Sequence, residues 1–214
     1  LSQETGVYDA MFHPLSTAEA DRVTALYAPL ADAVRQLIDA TIRTETDDDV
    51  VAKARGEIEA VTELLRQRIR PVGVSFRVEG RTLPLGNAVV GLCNPIAPPV
   101  VVRHDGDGRC SSEFVLGCAY EGPPGLVHGG VSALILDHLL GEAASDGLSK
   151  ARYTGTISVK YLRGTPLGPL RCDAWIDRAE GVKVFARGTI SDATGVTVEA
   201  EGVFIEPAWA RELE

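Results

Sequence analysis

The chain has 214 residues, of which 45% are hydrophobic and 24% charged, and its formal net charge is −9. Such values describe an ordinary globular chain of one domain, or of one domain with an extension. The acidic balance argues against nucleic acid and anionic membrane surfaces as partners, because both select basic faces, and no apolar run approaches the ~20 residues that span a bilayer.

The chain opens Leu1-Ser2-Gln3-Glu4 with neither a basic flank nor an apolar core behind it, so a cytoplasmic protein without a secretory signal is expected. The first ~70 residues carry helical spacing. Ser16 and Glu19 stand at capping-box distance and mark a helix start. Pro29 is expected to break or kink that helix. Leu30, Val34, Leu37, Ile38 and Thr41 recur at helical intervals, as do Val50, Val51, Ala54, Ile58, Val61, Leu65 and Ile69, which predicts two amphipathic helices. Asp47, Asp48 and Asp49 suit the positive end of the second helix, and Arg66, Arg68 and Arg70 suit its negative end. These residues carry no catalytic constellation. Residues 1–71 are therefore read as a helical extension and 72–214 as the functional domain.

From Pro71 to Pro99 the chain is rich in Gly, Pro and Asn, with a short strand over 72–78 and then a long irregular connection of the kind that is often functional or mobile. Val100–His104 and Ser112–Leu116 read as strands around the hairpin signal Asp105-Gly106-Asp107-Gly108. The four cysteines have no Cys-x-x-Cys spacing, and the four histidines do not cluster with them. Neither metal nor a disulfide framework is expected, and buried free thiols are. His138 and Glu142, at i and i+4, read as a helix-surface pair.

The stretch Tyr120–Gly141 stands apart. Pro123, Pro124 and Gly125 lead into His128-Gly129-Gly130, after which Val131–Leu140 is helical in pattern. The first turn of a helix leaves N–H groups without partners and carries partial positive charge, which suits a developing oxyanion. Glycine at 129 and 130 would let a reacting carbonyl approach the backbone without meeting a Cβ. Asp137 is a poor helix former about two turns into an apolar helix. It shares a flank of small residues with Gly130, Ala133, Gly141 and Ala144, while Ile135, Leu136, Leu139, Leu140 and Ala143 form the larger apolar face. Gly129 and Asp137 are eight residues apart, roughly 12 Å along a helix. One reacting carbon cannot touch both in one subunit, so joint action implies two helices antiparallel across a two-fold axis and two composite sites.

A meander follows, with strands expected over 154–162, 170–177, 182–190 and 196–205 and turns at Glu180-Gly181 and Asp192–Gly195. Alternation in the last strand shifts phase near Gly202, where a bulge is expected. One apolar helix beside an antiparallel sheet is an α+β arrangement.

His128-Gly129-Gly130 with Asp137 nine residues after the His, then Thr154–Gly168 ending in Pro166-Leu167-Gly168, resembles the hotdog-fold acyl-CoA thioesterases of the phenylacetic-acid-pathway type. The similarity runs from about Val100 to Pro207. It implies a sheet wrapped around the central helix, thioester hydrolysis of a medium- or long-chain fatty or an aryl acyl-CoA, no cofactor beyond the coenzyme A of the substrate, and a homodimer or a dimer of dimers. It implies Gly129 as oxyanion donor and Asp137 as general base or as nucleophile forming a mixed anhydride, with both routes open. Thr154 binds the attacking water or orients Asp137. His128 orients the loop or hydrogen-bonds the substrate, and a structural role is equally open. Gly130, Lys160 and Arg163 are the substrate-binding candidates, with Arg171, Lys183 and Arg187 as further basic residues for coenzyme A. Hotdog hydratases resemble one another in an Asn-Pro-Ile/Leu-His stretch with an Asp five residues before the His. In Asn94-Pro95-Ile96-Ala97 the His is replaced, and residue 92 is Leu, which demotes that chemistry. The rival from another class is a non-catalytic acyl-CoA binder that keeps the fold.

Overall fold

A computed structural model describes residues 12–79 and 81–211; the chain opening read above for a signal lies outside them. A two-residue strand β1 (His13–Pro14) leads into α1 (Thr17–Arg43). The Ser16 side chain accepts from the Glu19 N–H while the Glu19 carboxylate accepts from the Ser16 N–H, so the capping box is formed. The helix runs on through Pro29 for 27 residues. The expected break does not occur, because losing one N–H link to Ala25 is a local defect in a helix this long. α2 (Asp48–Arg66) starts behind Asp47 with Asp48 and Asp49 in its first turn and ends on Arg66, as the charge pattern requires.

Beyond it, β2 (Ser75–Val78) pairs parallel with β1 and antiparallel with β3 (Arg81–Pro84). The connection that follows is irregular but pinned. The Asn87 carboxamide accepts from the N–H groups of Val89 and Val90, and Asn94 donates to the Asn87 carbonyl while accepting from Ile96. Leu85, Val89, Ala97 and Val100 are buried. The Asn-Pro-Ile stretch therefore shapes a turn.

The main sheet contains β4 (Arg103–Gly106), β5 (Arg109–Leu116), β6 (Tyr153–Tyr161), β7 (Gly168–Glu180), β8 (Lys183–Asp192) and β9 (Gly195–Ile205). Their spatial order is β4-β5-β7-β8-β9-β6, antiparallel throughout. Asp107 and Gly108 take positive φ in the β4–β5 turn, the conformation a two-residue hairpin needs. α3 (Gly129–Ala144) lies on the sheet and packs mainly against β7, β8 and β9. Ile135, Leu136, Leu139 and Leu140 have no solvent exposure, and each contributes about 1.5–3 kcal/mol by leaving water. A short α4 (Ala208–Arg211) closes the described chain. This is the α+β hotdog arrangement. No helix among the described residues is long and apolar enough to cross a membrane.

Two expectations need correction. Against β8 the irregularity in β9 lies at Thr197, where Ile190 pairs with Val198 and Ser191 with Val196; beside Gly202 the extra residue belongs to β6, where Thr154 pairs with Phe204 and Thr156 with Val203, and Val198, Ala200, Gly202 and Phe204 of β9 all face inward without a phase shift. The apolar Val203 and Ile205 that suggest a shift lie off the core side, Ile205 being 36% exposed, and a Cβ on Gly202 would lie 2.6 Å from the Phe204 ring, so the ring fills its space. The second correction concerns Glu142, which is 6% exposed. Its carboxylate lies 3.3 Å from His138 Nε2 and 3.4 Å from His104 Nε2 on β4, so the pair joins helix to sheet and is not on the surface. Cys110 and Cys172 are buried, whereas Cys93 and Cys118 are half-buried. Burial, with Glu142 and Asp105 nearby, pushes the Cys110 thiol up to about 12.

Candidate active site

The approach to α3 is held on both sides before the helix begins. The Val127 N–H donates to the Thr165 carbonyl at 2.8 Å and the His128 N–H to the Tyr120 carbonyl at 2.9 Å. Gly122 passes so close behind that a Cβ there would lie 2.8 Å from His128 Cα. His128 is thus fixed as the N-cap. Its carbonyl accepts from Val131 and Ser132, and its Nδ1 accepts from the Gly130 N–H at 3.0 Å. An accepting Nδ1 carries no proton, so the neutral ring holds its proton on Nε2. Of the first N–H groups in this turn, that of Gly129 has no acceptor among the described residues. It is an unpaired donor at the positive end of a 16-residue helix, the arrangement that binds an anion or a polarised carbonyl oxygen.

The two glycines serve the protein's own rings. A Cβ on Gly129 would meet the Tyr161 hydroxyl and ring at 3.2–3.3 Å, and one on Gly130 would meet the His128 imidazole at 3.1–3.3 Å. The space read in the sequence as access for a carbonyl is occupied at these contacts by Tyr161 and His128.

Two turns along, Asp137 is half-buried, and its Oδ1 accepts from the Thr154 hydroxyl at 2.9 Å. Thr154 is the second residue of β6, and Tyr161 is its last. The Tyr161 hydroxyl donates to the Gly129 carbonyl at 2.8 Å. One strand therefore touches both ends of the helix segment that carries Gly129 and Asp137. Within one chain the two remain about two helical turns apart. β6 is also an outer strand, with Tyr153 49% and Tyr161 52% exposed, and Leu134 of α3 is 38% exposed.

The basic residues are mostly engaged. Arg163 donates to both carboxylate oxygens of Asp192, to Thr194 and to the Gly195 carbonyl. It fastens the chain after β6 to the β8–β9 turn. These bonds, the arginine foremost, hold the Asp192 carboxyl well below the usual carboxylate range. Arg171 pairs with Asp173 and Glu113, and Arg187 with Asp177 and Glu201. Lys160 is exposed on β6, opposite Glu199 in register. Sequence reasoning gave Tyr161 no role, since a tyrosine at a strand end carries no periodic signal; only the fold brings its hydroxyl to Gly129.

Residues 124–199 match the family model of the thioesterase superfamily. A crystal structure described as a thioesterase superfamily protein is 34% identical, covers 84% of this chain and 94% of that one, and superposes with a TM-score of 0.74. The chain belongs to the thioesterase superfamily. That likeness takes in more of the chain than residues 72–214 make up, so it runs into the N-terminal helices. Acyl-coenzyme A thioesterase THEM4 of Bos taurus is 27% identical over 110 residues, which are 50% of this chain and 45% of that protein. The chain thus spans about half the length of this curated superfamily relative. A phenylacetic acid degradation-related protein from Ralstonia eutropha JMP134 is 23% identical over 50% of this chain and 83% of that one, with a TM-score of 0.46.

Proposed function

We propose that the chain is an acyl-CoA thioesterase that hydrolyses a fatty or aryl acyl-CoA to the free acid and coenzyme A. The observation that carries this reading is the unpaired Gly129 N–H at the start of α3, two turns from a carboxylate braced by a hydroxyl. The thioester oxygen accepts from Gly129, which favours the charge that develops on that oxygen as the tetrahedral intermediate forms. Asp137 then takes a proton from the attacking water, or attacks the carbonyl carbon itself to give a mixed anhydride that water later opens. In both routes the C–S bond breaks and the coenzyme A thiolate leaves. Thr154 holds the Asp137 carboxylate in place. His128 keeps the Gly130 N–H occupied, so that Gly129 alone faces the substrate, and its Nε2–H is left to donate.

The ~12 Å rise between Gly129 and Asp137 requires the carboxylate to come from a second copy. A homodimer, alone or paired into a dimer of dimers, supplies it, and the outer strand β6 and the exposed Leu134 flank support placing the interface there. Lys160 is the basic candidate for a coenzyme A phosphate, since Arg163 is engaged by Asp192. No cofactor beyond the substrate's own coenzyme A is needed, and a cytoplasmic setting fits free, unpaired cysteines.

Thiol release from short, medium, long and aryl acyl-CoAs tests the reading, with Asp137→Asn beside the wild type. Hydrolysis that falls at least 100-fold in the variant, about 2.7 kcal/mol of barrier, is the expected outcome. A wild type that binds acyl-CoA yet releases no thiol from any of them overturns it in favour of a binder.

A further inference from the structure

We infer that the groove between α1, the end of α2 and the segment after it binds a fatty carboxylate, its head group on Arg68 and Arg70 and its chain along the apolar wall. Neither Gly129 nor Asp137 lines this groove. The site does not rest on the thioesterase reading, although a fatty carboxylate is what that reaction would release.

The groove holds about 1060 Å3, at the upper end of the roughly 300–1,000 Å3 usual for small-molecule sites. Leu30 and Val34 of α1, Leu65 of α2, Ile69 and Leu85 supply its apolar wall. Leu30, Leu65 and Ile69 are exposed, so apolar surface here is left for something to cover. The three arginines that complement the negative end of α2 have different surroundings. Arg66 pairs with Glu63 and is spent. Arg68 lines the groove with no hydrogen-bond or ion-pair partner among the described residues. Arg70 lines it too; its guanidinium donates to the Tyr27 hydroxyl at 3.0 Å and lies 5.1 Å from the centre of that ring. A phenol orients this cation without neutralising it. Acidic side chains outnumber Lys and Arg in the chain by 30 to 21, yet none lies beside either arginine among the described residues. Two cations on an apolar wall select a ligand with one anionic head and an unbranched apolar tail. The planar guanidinium matches a carboxylate through paired N–H donors, whereas a neutral lipid leaves both charges unanswered.

The groove carries its own reporter. Cys93 lines it and is half-buried, and burial raises its thiol while the Arg70 charge opposes that rise. A carboxylate seated on Arg70 would both shield the sulfur and cancel that charge, and each effect slows alkylation, which proceeds through the thiolate.

The test follows Cys93 in the full chain by its rate of alkylation with iodoacetamide, read by peptide mass spectrometry, with half-buried Cys118 as internal reference. The probes are decanoate, decanol and free coenzyme A, each below the concentration at which micelles form. Decanoate is expected to slow Cys93 at least fivefold while Cys118 stays within twofold, and decanol at the same concentration to slow Cys93 less than twofold. Arg68→Gln, which removes no contact, is expected to raise the half-protecting decanoate concentration at least threefold. Arg68→Gln combined with Arg70→Gln should raise it at least tenfold. Each rate is taken relative to the same variant without ligand, and a melting curve checks that the variant is folded. Equal protection by decanoate and decanol, or undiminished protection in both variants, overturns carboxylate recognition. Stronger protection by coenzyme A assigns the arginines to phosphate and overturns it as well. Slowing of Cys118 together with Cys93 shows only a surfactant effect, and a ligand-free Cys93 rate that falls with protein concentration shows a second copy in the groove; both overturn the inference. The readout is local and needs no turnover. A chain that hydrolyses no acyl-CoA therefore leaves decanoate protection standing, and failure of that protection leaves the role of Asp137 untouched.

Discussion

α2 and α3 are both rich in apolar residues at helical spacing, yet they meet opposite fates. α3 has eight buried residues, four of them without any exposure, whereas α2 has none. Val61, Leu64 and Leu65 of α2 are 52%, 62% and 51% exposed. The difference is one of partners. α3 is followed by four strands that return over it, while α2 is followed by a turn and two short strands of a three-stranded sheet that leave its face open. Amphipathic spacing specifies a helix, but a neighbouring layer decides whether its apolar face leaves water. Stability should therefore be concentrated in the hotdog domain.

Truncation inside α3 should have the largest effect on stability. Leu139→Ala is expected to cost about 2–5 kcal/mol in urea unfolding, as large-to-small changes at fully buried leucines do. A smaller effect is expected at the rim of the domain from Asp192→Asn, read as a melting temperature against pH. Asp192 has a depressed folded pKa, so its contribution is present above the unfolded value of about 3.9 and is lost as pH falls through the lower folded value. The gap between wild type and variant should be constant from neutral pH to about pH 5 and narrow below about pH 4. The smallest effect is expected in α2, where Leu64→Ala should stay within about 0.5 kcal/mol. A loss there as large as at Leu139 would break the contrast, because it would mean that α2 is packed against another chain.

Much of this was legible in the residues. The capping box at Ser16 and Glu19, the Asp105–Gly108 hairpin, the apolar face of α3 and the meander turns are local signals, and each marks its element within a few residues. Pairings between distant segments were not. Nothing in the spacing places His104 beside Glu142, 38 residues later, or the Tyr161 hydroxyl on Gly129. The end of β9 misled because Val203 and Ile205 are apolar yet lie off the core side, while the inward place at Gly202 is filled by the Phe204 ring. Pro29 does not end its helix, because a single lost hydrogen bond weighs less in a long helix than in a short one. His128, Gly129 and Asp137 stood out because each breaks the helix-forming logic around it. Which N–H remained unpaired became clear only once the imidazole had been placed.

The contact between Tyr161 and Gly129 also constrains how this protein can change over generations. A methyl group at 129 presses on the ring, while a smaller side chain at 161 leaves the glycine unbraced. Each substitution alters the tolerance of the other site, so the two positions are epistatic. A library of single variants would understate what each position accepts, because a change at one is best tolerated when the other changes with it.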